Sequence, residues 1–119
     1  MTFCGFFLGI NKLEDAIREY GEAIKINPND QGTYFNLGVA YNKASKLNEG
    51  IGAYLKAIEL DPLNISAMFN LSLIYKKKKM YAECKKQLEK AIQIAAKTNS
   101  DKIHQRISKE LEKIKRLIK

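Results

Sequence analysis

The sequence predicts an all-α fold built from repeated helix–turn–helix units. Three observations carry this reading. Apolar residues recur at three- and four-residue steps in paired blocks, the spacing of one helical face. The same residue types return after 34 positions, a period that belongs to stacked repeats. Breakers are few, with two Pro and seven Gly in 119 residues, too little turn chemistry for a many-stranded sheet.

The elements follow in order. Met1–Ile10 (MTFCGFFLGI) reads as a short apolar helix, the stub of a first unit. It lacks the basic lead of a secretory peptide, and Lys12-Leu13-Glu14-Asp15 follows at once. Residues 1–30 form an incomplete repeat, with Ala16, Tyr20, Ala23, Ile24 and Pro28 standing 34 residues before Gly50, Tyr54, Ala57, Ile58 and Pro62. Residues 31–64 form the next unit. Tyr34, Leu37, Gly38 and Tyr41 share one helical face, and Leu47, Gly50, Ile51, Tyr54, Ala57 and Ile58 share another. Ala44-Ser45-Lys46 separates the two, and Asp61-Pro62 ends the second, because proline disfavours the helical conformation in the residue before it. Residues 65–98 repeat the pattern. Phe35-Asn36-Leu37 returns as Phe69-Asn70-Leu71, Tyr41 as Tyr75, and Ala57-Ile58 as Ala91-Ile92. Residues 99–119 read as a capping helix. Its apolar face is Ile103, Ile107, Leu111, Ile114 and Ile118, its N-cap Ser100 or Asp101, and its opposite side Lys102, Arg106, Lys109, Lys113 and Arg116. The lone His104 reads as a packing or surface residue.

Composition narrows the function. The chain is 45% apolar and 29% charged, which is globular, and no run approaches the length of a membrane span. One His and two Cys leave no zinc site of ordinary stoichiometry, no disulfide framework and no Ser/Cys–His–acid constellation. Gly50-Ile51-Gly52 is a lone GxG inside a helix, not a phosphate loop. We therefore expect no enzyme activity, no metal and no cofactor. Cys4 and Cys84 read as small buried hydrophobes in a reducing, intracellular, cytoplasmic setting. Charge is uneven. Residues 1–64 carry six basic and eight acidic side chains, a net −2, whereas residues 65–119 carry fifteen basic and five acidic, a net +10.

The order aromatic, Leu-Gly, Tyr, small, aromatic, Ala, Pro stands here as Tyr34, Leu37-Gly38, Tyr41, Gly50, Tyr54, Ala57 and Pro62. With its 34-residue period it strongly resembles the tetratricopeptide repeat family. The resemblance implies a right-handed superhelical array, with a C-terminal cap because terminal repeats need covering. It also implies that small residues of paired helices face each other, as Cys4/Ala16, Gly38/Gly50 and Ser72/Cys84. Gly50 replaces the usual Ala, and Gly52 fits no part of the pattern.

The resemblance further implies a protein–protein interaction module, a scaffold or adaptor. The first helix of each unit would line a concave groove, with Gly32, Phe35, Asn36, Val39, Asn42 and Lys43 in one unit. In the next stand Ser66, Phe69, Asn70, Leu73, Lys76 and Lys77. A side-chain amide both donates and accepts, so Asn36 and Asn70 suit a peptide backbone of any sequence. Phe35, Val39, Phe69 and Leu73 offer apolar contacts, and Lys76 and Lys77 would hold the partner's acidic end. The expected partner is an extended or short helical segment with apolar anchors and acidic neighbours. Three alternatives stand beside it. Lys102 and Arg106 match the final pair of a carboxylate clamp for an acidic chaperone C-terminus, but Phe35 and Val39 occupy the first pair's places. The basic C-terminal surface suits nucleic acid or another polyanion on charge alone, without a base-reading signature. Phe3, Phe6, Phe7 and Leu8 form an apolar N-terminal edge, which points to self-association or to a longer array of which this chain is a piece.

Overall fold

The computed structural model describes the backbone of residues 2–98 and 101–118, and side chains from residue 12 onward within those ranges. Every regular element in them is an α-helix: α1 (Thr2–Ile26), α2 (Gln31–Lys43), α3 (Leu47–Leu60), α4 (Ile65–Lys77), α5 (Tyr81–Lys97) and α6 (Asp101–Ile118). They fall into two compact units, Met1–Asp61 and Pro62–Lys119.

In the first unit α2 packs on both α1 and α3. The loop into α2 is built by local chemistry. The Asn29 amide donates to Asn27 Oδ1, and Asp30 caps the helix, its Oδ1 accepting from the Gly32 amide at 3.1 Å and its Oδ2 from the Thr33 hydroxyl at 2.9 Å. Leu37, Ala40, Ala53, Tyr54 and Ala57 are buried. Gly38 is small for a reason. A Cβ there would stand 2.7–2.9 Å from three atoms of the Tyr54 ring. The close approach expected of Gly38 is thus made to the Tyr54 ring.

One expectation fails here. The predicted stub and the helix after it are a single helix, α1, so Cys4 and Ala16 lie along one helix and do not face each other across two. In the 31–64 unit the break falls at Ser45, which takes a left-handed φ of 62°. The equivalent position is Asn11, inside α1. A helix as short as residues 2–9 is marginal on its own, while running on keeps every backbone bond. The side chains of Cys4, Phe3, Phe6, Phe7 and Leu8 lie outside the described residues.

In the second unit α5 packs on both α4 and α6. The Asn64 side chain caps α4, accepting from the Ala67 amide at 3.0 Å. Ala67, Met68, Leu71, Ile74 and Tyr75 of α4 are buried, as are Cys84, Leu88, Ala91 and Ala95 of α5. Ser72 is buried too, its hydroxyl donating to the Phe69 carbonyl at 2.6 Å. On α6 the apolar face is narrower than expected. Ile107, Leu111 and Ile114 are buried, but Ile103 and Ile118 at its ends are exposed.

Candidate functional site

The first helix of each pair carries the candidate residues, and each unit presents its own set. On α2, Leu37, Gly38 and Ala40 are buried, which turns Asn36 and Lys43 outward and leaves Val39 and Asn42 half-buried between. Phe35 is also half-buried, its ring edge-on to Tyr54 of α3 with centroids 5.8 Å apart. One side of Phe35 is therefore packing, and only the remainder faces solvent.

Beside α2 lies an open cleft of about 190 Å³. Asn36, Val39, Ala40 and Lys43 line it from α2, and Leu13, Ala16 and Tyr20 from α1. An amide and an ammonium thus border an apolar wall, the mixture that fixes a ligand's orientation while burying its surface. The α1 contribution was absent from the sequence reading. Ala16 and Tyr20 were legible as packing positions, since they precede Gly50 and Tyr54 by one period. In α3 the Tyr54 ring is covered by Gly38 of α2. Tyr20, its counterpart, lines the cleft instead.

On α4 the candidates meet a neighbour. The Arg106 guanidinium of α6 sits 5.1 Å from the Phe69 ring centroid, a cation–π stack. Lys76 Nζ donates to Glu110 Oε2 of α6 at 3.3 Å, and Lys113 approaches Oε1 of the same carboxylate at 3.5 Å. Glu110 is well shielded, with its side chain 19% exposed. So Phe69 and Lys76 are both engaged from α6, one turn apart on that helix. Asn70 and Leu73 are half-buried and Lys77 is exposed. Of the proposed anion contacts, Lys102 is exposed, and Arg106 is exposed but stacked. The contacts of Arg106 with Phe69 and of Glu110 with Lys76 were not legible beforehand, because the offset of α6 against α4 is set by how Ile107, Leu111 and Ile114 seat, not by the repeat period.

Cys84, also on this unit, is buried. Burial pushes its thiol from the ordinary 9.0 up to about 11; nearby Lys76 opposes the shift and Glu110 adds to it. That is a packing cysteine, not a nucleophile. Among the described residues no three His, Cys, Asp or Glu side chains gather as metal ligands, and no helix is long and apolar enough to cross a membrane.

Three family profiles match the sequence. One described as TPR repeat spans residues 10–45, and two described as tetratricopeptide repeat span 32–62 and 53–93. The chain belongs to the tetratricopeptide repeat family. Solved structures agree with the fold. The TPR2B domain of yeast Sti1, determined as a complex with pHsp70, is 26% identical, with a TM-score of 0.81 over 95% of this chain and 90% of that one. The Yersinia enterocolitica type III secretion translocator chaperone SycD is 23% identical, with a TM-score of 0.81 over 95% of this chain and 77% of its own. PcrH, solved with the chaperone-binding region of PopD, is 14% identical, with a TM-score of 0.85 over 98% and 87%. No curated protein matches this tetratricopeptide repeat chain in sequence.

Proposed function

We propose that this chain is a non-catalytic protein-interaction module whose first-helix faces take an extended or short helical peptide segment of a partner protein. The observation that carries the reading is the cleft at α2. There the Asn36 amide and the Lys43 ammonium border an apolar wall of Leu13, Val39 and Tyr20. A peptide backbone pairs with the amide, an apolar side chain enters the cleft, and an acidic neighbour meets Lys43. Asn70, Leu73 and Lys77 offer the same three chemistries on α4. Lys76 is a weaker candidate for the acidic contact than its sequence position implies, because Glu110 holds it. The yeast Sti1 domain, 26% identical and solved with a pHsp70 ligand, supports peptide binding by this fold. The division into 1–30, 31–64, 65–98 and 99–119 belongs to the same proposal, as does an intracellular, cytoplasmic setting, which the free buried thiol of Cys84 supports.

The test is selection of binders from a displayed library of random sixteen-residue peptides. Affinities are then measured for the wild type and for Asn36→Ala/Asn70→Ala at equal helicity. Each lost amide pairing is worth about 1 kcal/mol, so the double variant should bind about tenfold or more weakly. Retention of wild-type affinity by the variant would remove both asparagines from the site.

A further inference from the structure

Lys76 and Glu110 pair across two helices. Arg18–Asp15, Lys56–Glu59 and Lys115–Glu112 each lie three residues apart on one helix, whereas Lys76–Glu110 ties α4 to α6. Each oxygen of the Glu110 carboxylate meets its own ammonium, Oε2 that of Lys76 at 3.3 Å and Oε1 that of Lys113 at 3.5 Å. The Glu110 side chain is 19% exposed, against 35% for Lys76 and 61% for Lys113, so the carboxylate is the inner member of the cluster. One turn earlier on α6, Arg106 stands over Phe69. Phe69 precedes Lys76 and Arg106 precedes Glu110, so α4 and α6 run side by side in the same direction. The α4 residues that sequence position assigns to a partner's apolar and acidic groups are therefore met by α6 of the same chain.

We propose that Glu110 is a specificity-determining residue, which keeps the acidic residues of a partner segment away from Lys76. The inference rests on the peptide-binding reading above. A carboxylate brought to Lys76 must displace Glu110, and the displaced carboxylate stays close by as a like charge. Such a repulsive element selects among ligands as effectively as an attractive one. An uncharged side chain breaks no ion pair and meets no such penalty. The segment over Phe69, Asn70 and Leu73 is thus neutral where it reaches Lys76, and an acidic neighbour is left to Lys77, which is exposed. If Glu110 served only to hold α6 against α4, removing its charge would lower stability and leave ligand preference unchanged.

The test runs the same random-library selection, with the full chain, on wild type and on Glu110→Gln, which keeps the side chain's size and removes its charge. Peptides taken by Glu110→Gln should carry about one more Asp or Glu each than those taken by wild type, because Lys76 is released for a charge-assisted contact. A peptide selected on Glu110→Gln should bind that variant about fivefold more tightly than it binds wild type, the upper range for a partly exposed ion pair. Adding Lys76→Gln should remove the difference. Glu112→Gln on the same helix removes an equal charge, at an exposed carboxylate paired with Lys115, and should leave the selected sequences as in wild type. Circular dichroism checks that each variant keeps its helicity. An unchanged acid content in the peptides taken by Glu110→Gln would overturn the inference and leave peptide binding standing. So would an equal rise with Glu112→Gln, which would mean diffuse attraction, or a gain that survives Lys76→Gln. Enrichment of no peptide by either wild type or Glu110→Gln would overturn the peptide-binding reading and this inference with it.

Discussion

At Gly38 a single methyl group decides how two helices meet. An added Cβ would stand 2.7–2.9 Å from the Tyr54 ring, and that ring is buried and already packed edge-on with Phe35, so it has little room to yield. Gly38→Ala should therefore cost about 1–3 kcal/mol, the usual range for overpacking, despite the better helix propensity of alanine. Gly52 is the control. Nothing lies within 4 Å of its missing Cβ, so Gly52→Ala should stabilise by about 0.5–1 kcal/mol. Urea denaturation of the two variants should shift the midpoint in opposite directions; two shifts of one sign would contradict the packing argument. Nothing in the structure explains why position 52 is a glycine. Cys84 gives a second residue-scale prediction. Its folded thiol holds a proton up to about pH 11, whereas the unfolded thiol releases it near the ordinary 9.0. Between those values the native state binds more protons than the unfolded state, so stability falls as pH rises. The contribution is complete below pH 9 and lost by about pH 11. Wild type should show this fall in excess of Cys84→Ala, because the variant keeps every other titrating group. Parallel pH profiles would contradict the assignment.

Between the paired helices the chain makes one turn twice. Ser45 donates to the Asn42 carbonyl and Lys46 to the Tyr41 carbonyl at 2.8 Å; one period on, Lys79 donates to Lys76 and Met80 to Tyr75, again at 2.8 Å. Ser45 and Lys79 take left-handed φ values of 62° and 60°. This is the Schellman closure of a helix C-terminus, whose left-handed position glycine usually fills. A side chain there costs roughly 1 kcal/mol. Ser45→Gly and Lys79→Gly should each stabilise the protein by about 0.5–1 kcal/mol, read as a raised melting temperature, and the gains should add because the turns share no partner. A loss in either variant would mean that its side chain makes a contact worth more than the backbone strain. These turns show what was legible in advance. The break at Ala44-Ser45-Lys46, the proline after α3 and the apolar steps of α2 to α5 are local properties, and local properties are written in sequence. The continuous α1 was not legible, because whether a turn forms at Asn11 depends on what packs back across it. At the site, Asn36, Val39 and Lys43 do line one cleft, and their positions followed from helical spacing. The seating of Arg106 on Phe69 and of Glu110 against Lys76 did not, since it depends on the lateral packing of helices far apart in sequence.

At the scale of the whole chain, two forces act unequally on the two units, and their magnitudes say which prevails. Among the described residues the buried core of Met1–Asp61 is Leu37, Tyr54 and three alanines, whereas Pro62–Lys119 buries Met68, Leu71, Ile74, Tyr75, Leu88, Ile107, Leu111 and Ile114 besides its alanines. Each fully buried large aliphatic contributes roughly 1.5–3 kcal/mol, so among the residues whose side chains are described the second unit gains on the order of 10 kcal/mol more from burial. Against this stands self-repulsion from its net +10. Exposed charges interact weakly, by tenths of a kcal/mol per pair, and charges more than about 8 Å apart are screened at physiological salt. Burial should win. Amides of α4 and α5 should then exchange with deuterium at least about tenfold more slowly than those of α2 and α3, because local opening is easiest where few large apolar contacts are broken. Salt separates the two forces. Raising sodium chloride from about 50 to about 300 mM relieves repulsion only where it is concentrated, so protection should rise in the second unit and stay nearly constant in the first. Equal exchange in all four helices would mean that they open as one cooperative body, in which case the larger core protects both units.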